Sequence, residues 1–333
     1  MQNNYKFTRA LFLVAILAAL AAAAFGQVTP TRTARINEAT ASQQRPGSVL
    51  VYNIYTSGAT TISNANTQVN ITNTNISAAA SIHLFFIGDN CLIADSYICL
   101  TANQTATFLA SDVDPGTTGY LIAIMTGLNT GCPVSFNFLT GSADVRFTSG
   151  HAASLPAESF QALFSGPLPG CAASDTKATL NFDGRVYSPA PRTLGLNNIP
   201  SRADGNDTML IVNTFSGALD TARREPISQY YGLLYDDSES VVRFTVGVQN
   251  CQVRGSMSNT FPRTMPRFEN FIPSHRTGWL QIYAIKDAAI TGAAINFNAN
   301  AATKANAFNG GFNLHHLNYT VGQLTVPVFS PNC

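Results

Sequence analysis

Residues 47–58 read GSVLVYNIYTSG, and residues 207–217 read DTMLIVNTFSG, which repeats the same pattern 160 residues further along the chain. A second match joins SIHLFFIGDNC, which ends at Cys91, to VVRFTVGVQNC, which ends at Cys251. Three further matches keep the same order: TTGYLIAI around Tyr120 with RTGWLQIY around Trp279, TGCPVSFNF with TGAAINFN, and GPLPGC with VFSPNC. Solenoid repeats span roughly 20 to 50 residues, so this longer offset predicts two copies of one domain.

Within each copy, short runs of Val, Ile, Phe and Tyr alternate with clusters of Gly, Asn, Asp, Pro and Ser. Such runs predict half-buried strands joined by turns. Only residues 157–164, after Pro156, have a helical pattern outside the N-terminus, and we predict a short helix there. The fold class we predict is all-β, with two tandem antiparallel β-sandwich domains, immunoglobulin-like or jelly-roll-like. The first covers residues 47–171, and the second covers residues 172–333 with an added N-terminal segment.

The N-terminus has the composition of a signal peptide. Lys6 and Arg9 precede an apolar run over residues 10–24, and Ala24 and Gly26 are the small residues that signal peptidase requires. The run is shorter than the roughly 20 residues that cross a bilayer. We therefore predict a signal peptide over residues 1–26, a flexible lead over residues 27–46, and no membrane insertion after its removal. The expected location is secreted or cell-surface, either extracellular or periplasmic.

Charge and composition narrow the classes of partner. The whole chain has 19 Lys and Arg against 18 Asp and Glu, and charged residues make up 11% of it. Binding to nucleic acid requires a clustered basic surface, which this composition does not supply. The partner is unknown from sequence, and an extracellular protein or a polysaccharide is the expected kind.

Six cysteines in an exported chain are expected to form disulfides. If the duplication decides the pairing, Cys251 bonds to Cys333 and Cys91 bonds to Cys171. Cys99 then bonds to Cys132. The alternative joins neighbours, Cys91 with Cys99 and Cys132 with Cys171. The C-x₂-C spacing of zinc sites is missing, so we predict no metal at the cysteines.

Catalytic motifs are missing from the sequence. It has no G-x-S-x-G, H-E-x-x-H or G-x-x-x-x-G-K-[ST] motif, so the common hydrolase, zincin and phosphate-binding sites lack their usual residues. The adjacent His315 and His316 would point to opposite faces of a strand, which disfavours a shared metal. The other histidines are His83, within a strand pattern, and His151 and His275, in segments rich in turn residues. We predict no catalytic residue, no metal and no cofactor.

Weak candidates for ligand binding are Tyr230, Tyr235, Asp236 and Asp237. The tyrosines could stack on sugars, although strand alternation buries at least one tyrosine of this run. The acidic groups at residues 204–207 and 236–239 could bind Ca²⁺, but the same residue types form tight turns, which we favour. Trp279 is expected in a core or at a sandwich edge.

The sequence thus predicts an exported, non-catalytic protein with a structural, adhesion or surface-assembly role. A carbohydrate-binding module is the alternative, and a secreted hydrolase is the third possibility.

The mature protein is expected to begin at Gln27, because the apolar run ends at Phe25 and the peptidase cleaves after Gly26. The intact mass of the secreted protein measures this start. A membrane-bound product that retains residues 1–26 would contradict the prediction.

Overall fold

The computed structural model describes residues 44–330, apart from residues 59–64, 225, 227, 228, 248, 259 and 287. The strands of the first half are β1 Val49–Thr56, β2 Asn66–Asn73, β3 Ala80–Gly88, β4 Ile93–Leu100, β5 Thr105–Leu109, β6 Thr118–Thr126, β7 Leu139–Arg146, β8 Ala152–Pro156 and β9 Glu158–Phe160. The remaining strands are β10 Lys177–Phe182, β11 Ala190–Pro200, β12 Asp207–Thr214, β13 Gly217–Ala218, β14 Gln229–Asp236, β15 Val241–Gly247, β16 Gln252–Ser256, β17 Thr277–Ala284, β18 Ile290–Phe297, β19 Gly310–Asn313, β20 His315–Thr320 and β21 Gly322–Pro327. The helices are one α-helical turn, Phe268–Phe271, and the 3₁₀ turns Ala110–Asp112 and Arg202–Asp204.

These strands form five small sheets. Sheet A has the order β4-β3-β6-β1-β9, sheet B the order β5-β2-β7-β8, and sheet C the order β10-β21-β13. Sheet D has the order β16-β12-β18-β19, and sheet E the order β15-β14-β17-β11-β20. All paired strands are antiparallel in the described chain except β13 and β21, which are parallel. No helix in this part of the chain has the length and apolar character needed to cross a membrane.

The inner strands β1 and β3 of sheet A are buried on both faces. Every residue of β1 and β3 is buried, and their apolar side chains divide between two cores. Leu50, Leu84 and Phe86 pack with Val69 and Ile71 of sheet B. The opposite face packs against sheet C in a second cluster: Val49, Val51, Phe85 and Ile87 with Leu180, Phe182, Leu324 and Val326. A continuous apolar run is the sequence pattern of such a doubly covered strand.

The prediction of two tandem β-sandwich domains is wrong. The described residues form one compact unit rather than two, and their strands lie in five sheets. Sheet C belongs to the second half of the chain, yet it covers sheet A of the first half. Ile211 and Ile295 of sheet D likewise join the core around sheet B. A two-layer sandwich buries one face of each sheet, whereas here sheet A needs a cover on each side.

Two of the internal matches that suggested a duplication compare strands in different places. β1 lies inside sheet A, whereas the matched strand β12 lies in sheet D. β3 lies inside sheet A, whereas its match β15 is an edge strand of sheet E. In strand order, the place that β1 takes in sheet A is taken by β11 in sheet E. The match of Tyr120 with Trp279, in contrast, joins β6 and β17, each the third strand of its sheet, so the predicted repeat pairs some segments that share a position in the fold and others that do not.

The predicted helix over residues 157–164 is also wrong. Glu158–Phe160 is strand β9, which pairs antiparallel with Val49–Val51 at the edge of sheet A. Phe160 is fully buried and packs on Phe182 and Phe215, with ring centroids 5.4 and 4.8 Å away. Pairing with β1 and this burial override the local helical pattern.

The disulfides differ from the predicted pairing. Cys91 bonds to Cys251 and Cys132 bonds to Cys171, so the bonds predicted for Cys91, Cys132 and Cys251 are wrong. The neighbour alternative was correct for Cys132 and Cys171 but wrong for Cys91. Cys99 is disulfide-bonded as well, and Cys333 lies outside the described residues.

The Cys91–Cys251 bond joins turns from the two halves of the chain. Cys91 follows β3 and Cys251 precedes β16, and the backbone N–H of Cys251 donates to the carbonyl oxygen of Asp89 at 2.9 Å. The duplication argument assumed independent domains, each with its own bond. Because the halves share cores, matching cysteines from the two copies can meet each other.

His83 lies on the face of sheet A that packs against sheet C, where Phe329 near the C-terminus covers it. It is buried, its Nε2 lies 2.7 Å from Asp95 Oδ2, and its ring stacks on Tyr97 with centroids 4.0 Å apart. The ring of Phe329 packs edge-on against His83 at 5.3 Å. Burial lowers the pKa of His83, and the hydrogen bond with Asp95 offsets this only in part.

Loss of the long-range disulfide is expected to cost more stability than loss of the short one. The chain-entropy relation gives about 5 kcal/mol for the 160-residue separation of Cys91 and Cys251, and about 4 kcal/mol for the 39-residue separation of Cys132 and Cys171. Non-reducing denaturant unfolding of the double variants C91S/C251S and C132S/C171S measures both costs. A non-reduced peptide map that joins Cys91 to Cys171 or Cys99 would contradict the structure.

Stability is expected to fall on acidification through His83. Its folded pKa lies below the unfolded value of 6.5, so the unfolded chain binds more protons as the pH falls. The contribution of His83 to the free energy of unfolding is therefore fully present above about pH 6.5. It is lost as the pH falls from there toward the folded pKa. When urea unfolding is measured from pH 5 to 8, the free energy of unfolding should depend less on pH for His83→Gln than for the wild type. Equal slopes of the unfolding free energy against pH in this range would show that His83 does not contribute to the pH dependence.

Candidate functional site

The middle of β11 departs from regular pairing and presents two amide side chains. Its register with β17 shifts between Leu196 and Ile199, so Asn197 and Asn198 form a bulge. Both residues are exposed, and Asn198 has a φ of 53°, a left-handed conformation that asparagine tolerates better than most residues. Bulges of this kind often redirect side chains at functional sites.

Trp279 lies directly opposite this bulge, on the outer face of sheet E. Leu280 pairs with Leu196 and Gly278 with Ile199, which puts Trp279 beside Asn197 and Asn198. On its other side Trp279 pairs with Tyr235 of β14, and their rings stack with centroids 4.3 Å apart and planes only 5° apart. The expectation of a core or edge position for Trp279 is wrong, because the residue is 36% exposed in a central strand whose outer face is open.

Trp279 and the bulge line a shallow pocket of about 530 Å³, here called the tryptophan pocket. Its lining consists of Asn197, Asn198, Asp236, Asp237, Thr277, Gly278 and Trp279. Gly278 allows the close approach of neighbouring groups, since a Cβ atom there would lie 2.5 Å from Ile272 Cδ1 and 2.6 Å from the carbonyl oxygen of Tyr235. The pocket therefore combines one aromatic surface with amides and carboxylates.

The acidic residues of this pocket belong to a tight turn. Asp236 Oδ1 accepts hydrogen bonds from the backbone N–H groups of Ser238 and Ser240, at 2.9 and 2.8 Å. Asp237 forms an ion pair with Arg276, whose guanidinium also donates to Ser238 Oγ at 2.6 Å. These contacts are those of the predicted turn, and they hold both carboxylates at the rim of the pocket.

A second, larger cleft shares Asn197 and Asn198 with the tryptophan pocket. This histidine cleft has a volume of about 610 Å³ and is lined by Gln44, Glu158, Asn197, Asn198, Phe312, Asn313, Leu314, His315, His316 and Tyr319. At its base His316 Nε2 lies 2.9 Å from Glu158 Oε2. The two depressions adjoin at the bulge, and together they are called the groove.

Glu158 is fully buried, and both of its oxygens have partners. Asn53 Nδ2 donates to Glu158 Oε1 at 2.6 Å, while Oε2 faces His316. Asn53 also lies within hydrogen-bond distance of Gly292 O and Asn313 Oδ1, each at 3.0 Å. A buried carboxylate needs such partners, because desolvation without them is costly.

The histidine cleft does not contain the parts of a nucleophilic hydrolase. A carboxylate that orients an imidazole is two-thirds of a catalytic triad, and the third member is a serine, threonine or cysteine nucleophile. The lining of this cleft, within the described chain, has none of these three residue types.

The structure brings only part of the predicted site together. Asp236 and Asp237 line the tryptophan pocket, and Tyr235 supports Trp279 from behind. Tyr230 is fully buried on the inner face of sheet E, which follows from strand alternation. It therefore cannot contact a ligand at the surface.

Several site residues were missed by sequence reasoning. Asn197 and Asn198 were overlooked because a bulge is set by pairing with neighbouring strands, although two adjacent asparagines inside a strand pattern could have signalled it. Glu158 was assigned to a helix, and only pairing with β1 puts it beside His316.

The remaining polar candidates have structural partners. Asp204 accepts hydrogen bonds from Ser274 Oγ and from the backbone N–H of His275. Asp207 forms an ion pair with Arg202 at 2.7 Å and lies 3.9 Å from His151. The described residues contain no group of three His, Cys, Asp or Glu side chains arranged to hold a metal ion.

The disulfides and the all-β fold are compatible with an extracellular role, because disulfides persist in oxidising compartments. Comparison of the chain with protein-family models gives no match, and comparison with curated proteins gives no significant match.

Proposed function

We propose that this chain is an exported, non-catalytic protein that binds carbohydrate in the tryptophan pocket. The observation that carries the proposal is the position of Trp279, which is exposed beside two bulged asparagines and two rim carboxylates. A sugar ring has an apolar C–H face and a rim of hydroxyl groups. An aromatic ring packs against that face, while amides and carboxylates bond to the hydroxyls.

The stacked Tyr235 makes this aromatic surface rigid. It covers one face of the indole and leaves the side toward Asn197 and Asn198 lining the pocket. A side chain held in place before binding loses little conformational entropy when the ligand arrives. This preorganisation supports recognition of a ring-shaped ligand at this point.

Carbohydrate binding would serve the adhesion or surface-assembly role that the sequence predicts. Signal-directed export and the disulfides would expose the groove to extracellular or cell-surface glycans. The Glu158–His316 pair favours a hydrolase as a second candidate, but the cleft around it offers no serine, threonine or cysteine among the described residues.

Trp279→Ala is expected to weaken glycan binding by at least about tenfold, because a desolvated aromatic anchor commonly carries more than 1.4 kcal/mol. A glycan array identifies the strongest binder for the wild type, and titration calorimetry with that glycan measures the affinity of each variant. Product analysis of the same mixtures tests for turnover.

Tyr283→Ala is the matched control. Tyr283 lies on the same strand and outer face, but its ring packs against Tyr231 with the two ring planes tilted by 47°, and it does not line the tryptophan pocket. The glycan affinity of the Tyr283→Ala variant should equal that of the wild type. Equal losses of glycan affinity in both variants would show that the whole outer aromatic face binds the glycan, and not the tryptophan pocket in particular. Absence of binding to any arrayed glycan would refute the proposed function.

A further inference from the structure

The groove continues well beyond the tryptophan pocket. Asn197 and Asn198 line both this pocket and the histidine cleft, so a ligand that leaves one enters the other across the bulge. The combined groove is larger than a single sugar ring requires. The two adjoining volumes, about 530 and 610 Å³, suit a chain of linked sugars.

The far end of the groove offers a second set of ring surfaces. Phe312 is 40% exposed at the histidine cleft, and its ring lies 6.3 Å from that of His315. Tyr319 lines the same cleft, with its ring edge-on to His316 at 6.1 Å. Aromatic groups therefore occupy both ends of the groove, and amides occupy its middle. This alternation matches a polymer that presents apolar faces and hydroxyl rims in turn.

The charges of the groove discriminate against acidic glycans. Asp236 and Asp237 lie at the tryptophan end, and Glu158 lies at the base of the histidine cleft. The described lining of both depressions contains no lysine or arginine, and the nearby Arg276 is already paired with Asp237. A glycan carboxylate would meet these like charges with no lysine or arginine in the described lining to pair with it, which is unfavourable.

We propose that the ligand is an extended chain of uncharged sugars that spans the tryptophan pocket and the histidine cleft, passing over Asn197 and Asn198. This inference rests on the proposed function and adds the length and charge of the glycan. The tryptophan pocket holds one part of the chain, and the surface around Phe312 holds another.

The test of length uses oligosaccharides of one to eight units, prepared from the neutral polysaccharide that binds best among hydroxyethyl cellulose, dextran, starch, xylan and mannan. Affinity should rise with length until both ends of the groove are filled. Phe312→Ala should lose about tenfold in affinity for the longest oligomer and nothing for the shortest, whereas Trp279→Ala should weaken all of them.

Phe308→Ala is the control for Phe312→Ala, because Phe308 is 49% exposed four residues earlier and lines neither depression. Thermal unfolding confirms that each variant folds. Affinity that does not depend on length, or no effect of Phe312→Ala on long oligomers, would overturn the spanning ligand. The proposed function would survive that result provided that Trp279→Ala still reduced binding.

The test of charge compares neutral and carboxymethylated forms of the same polysaccharide at pH 8 and low salt. The neutral form should bind more tightly, and Asp237→Asn should narrow the difference by removing one rim charge. Tighter binding of the carboxymethylated form would overturn the inference about charge. Failure of every neutral and acidic glycan to bind would instead refute the proposed function.

Discussion

The side chain of Asn53 is the contact on which the arrangement of the two halves depends. It lies in a pairing irregularity of β1, between Tyr52 and Tyr55, and donates from there to Glu158. Its backbone oxygen accepts a hydrogen bond from Asn213 Nδ2 at 2.8 Å, which ties β1 to β12. Because buried polar groups are costly when unpaired, by about 1 to 3 kcal/mol each, few relative positions of the halves satisfy this cluster.

A second buried joint lies near the Cys91–Cys251 bond. Arg224 is 2% exposed, and its guanidinium donates to Tyr120 Oη at 2.6 Å and to the carbonyl oxygens of Thr214, Phe215 and Ser216. Burial raises the pKa of Tyr120 to about 12, with Arg224 opposing the shift, so the phenol remains a neutral donor to Thr214 O. Covalent and polar contacts thus fasten the same pair of halves at separate points.

These contacts between the halves determine the geometry of the histidine cleft. Glu158 comes from sheet A, His316 from the edge strand of sheet E, and Phe312 from sheet D. The histidine cleft exists only because these three sheets meet there. The tryptophan pocket, in contrast, is built within sheet E and its loops, so the two ends of the groove depend on different contacts. The affinity of a ligand that spans the tryptophan pocket and the histidine cleft would therefore depend on how the two halves are arranged.

The sequence by itself determined the strand-rich character of the chain, the disulfide bonding of its described cysteines and the burial of at least one tyrosine of the run at residues 230–235, because alternation and composition are local properties. Of the ligand-binding candidates from the sequence, Asp236 and Asp237 line the tryptophan pocket and Tyr235 stacks on Trp279, while their binding of a ligand stays a prediction. Only the tertiary structure decided that sheet A is covered twice, that Cys91 meets Cys251, and that Asn197 lies beside Trp279. These features depend on which faces and loops meet across long separations, and local patterns carry no information about the choice of partner.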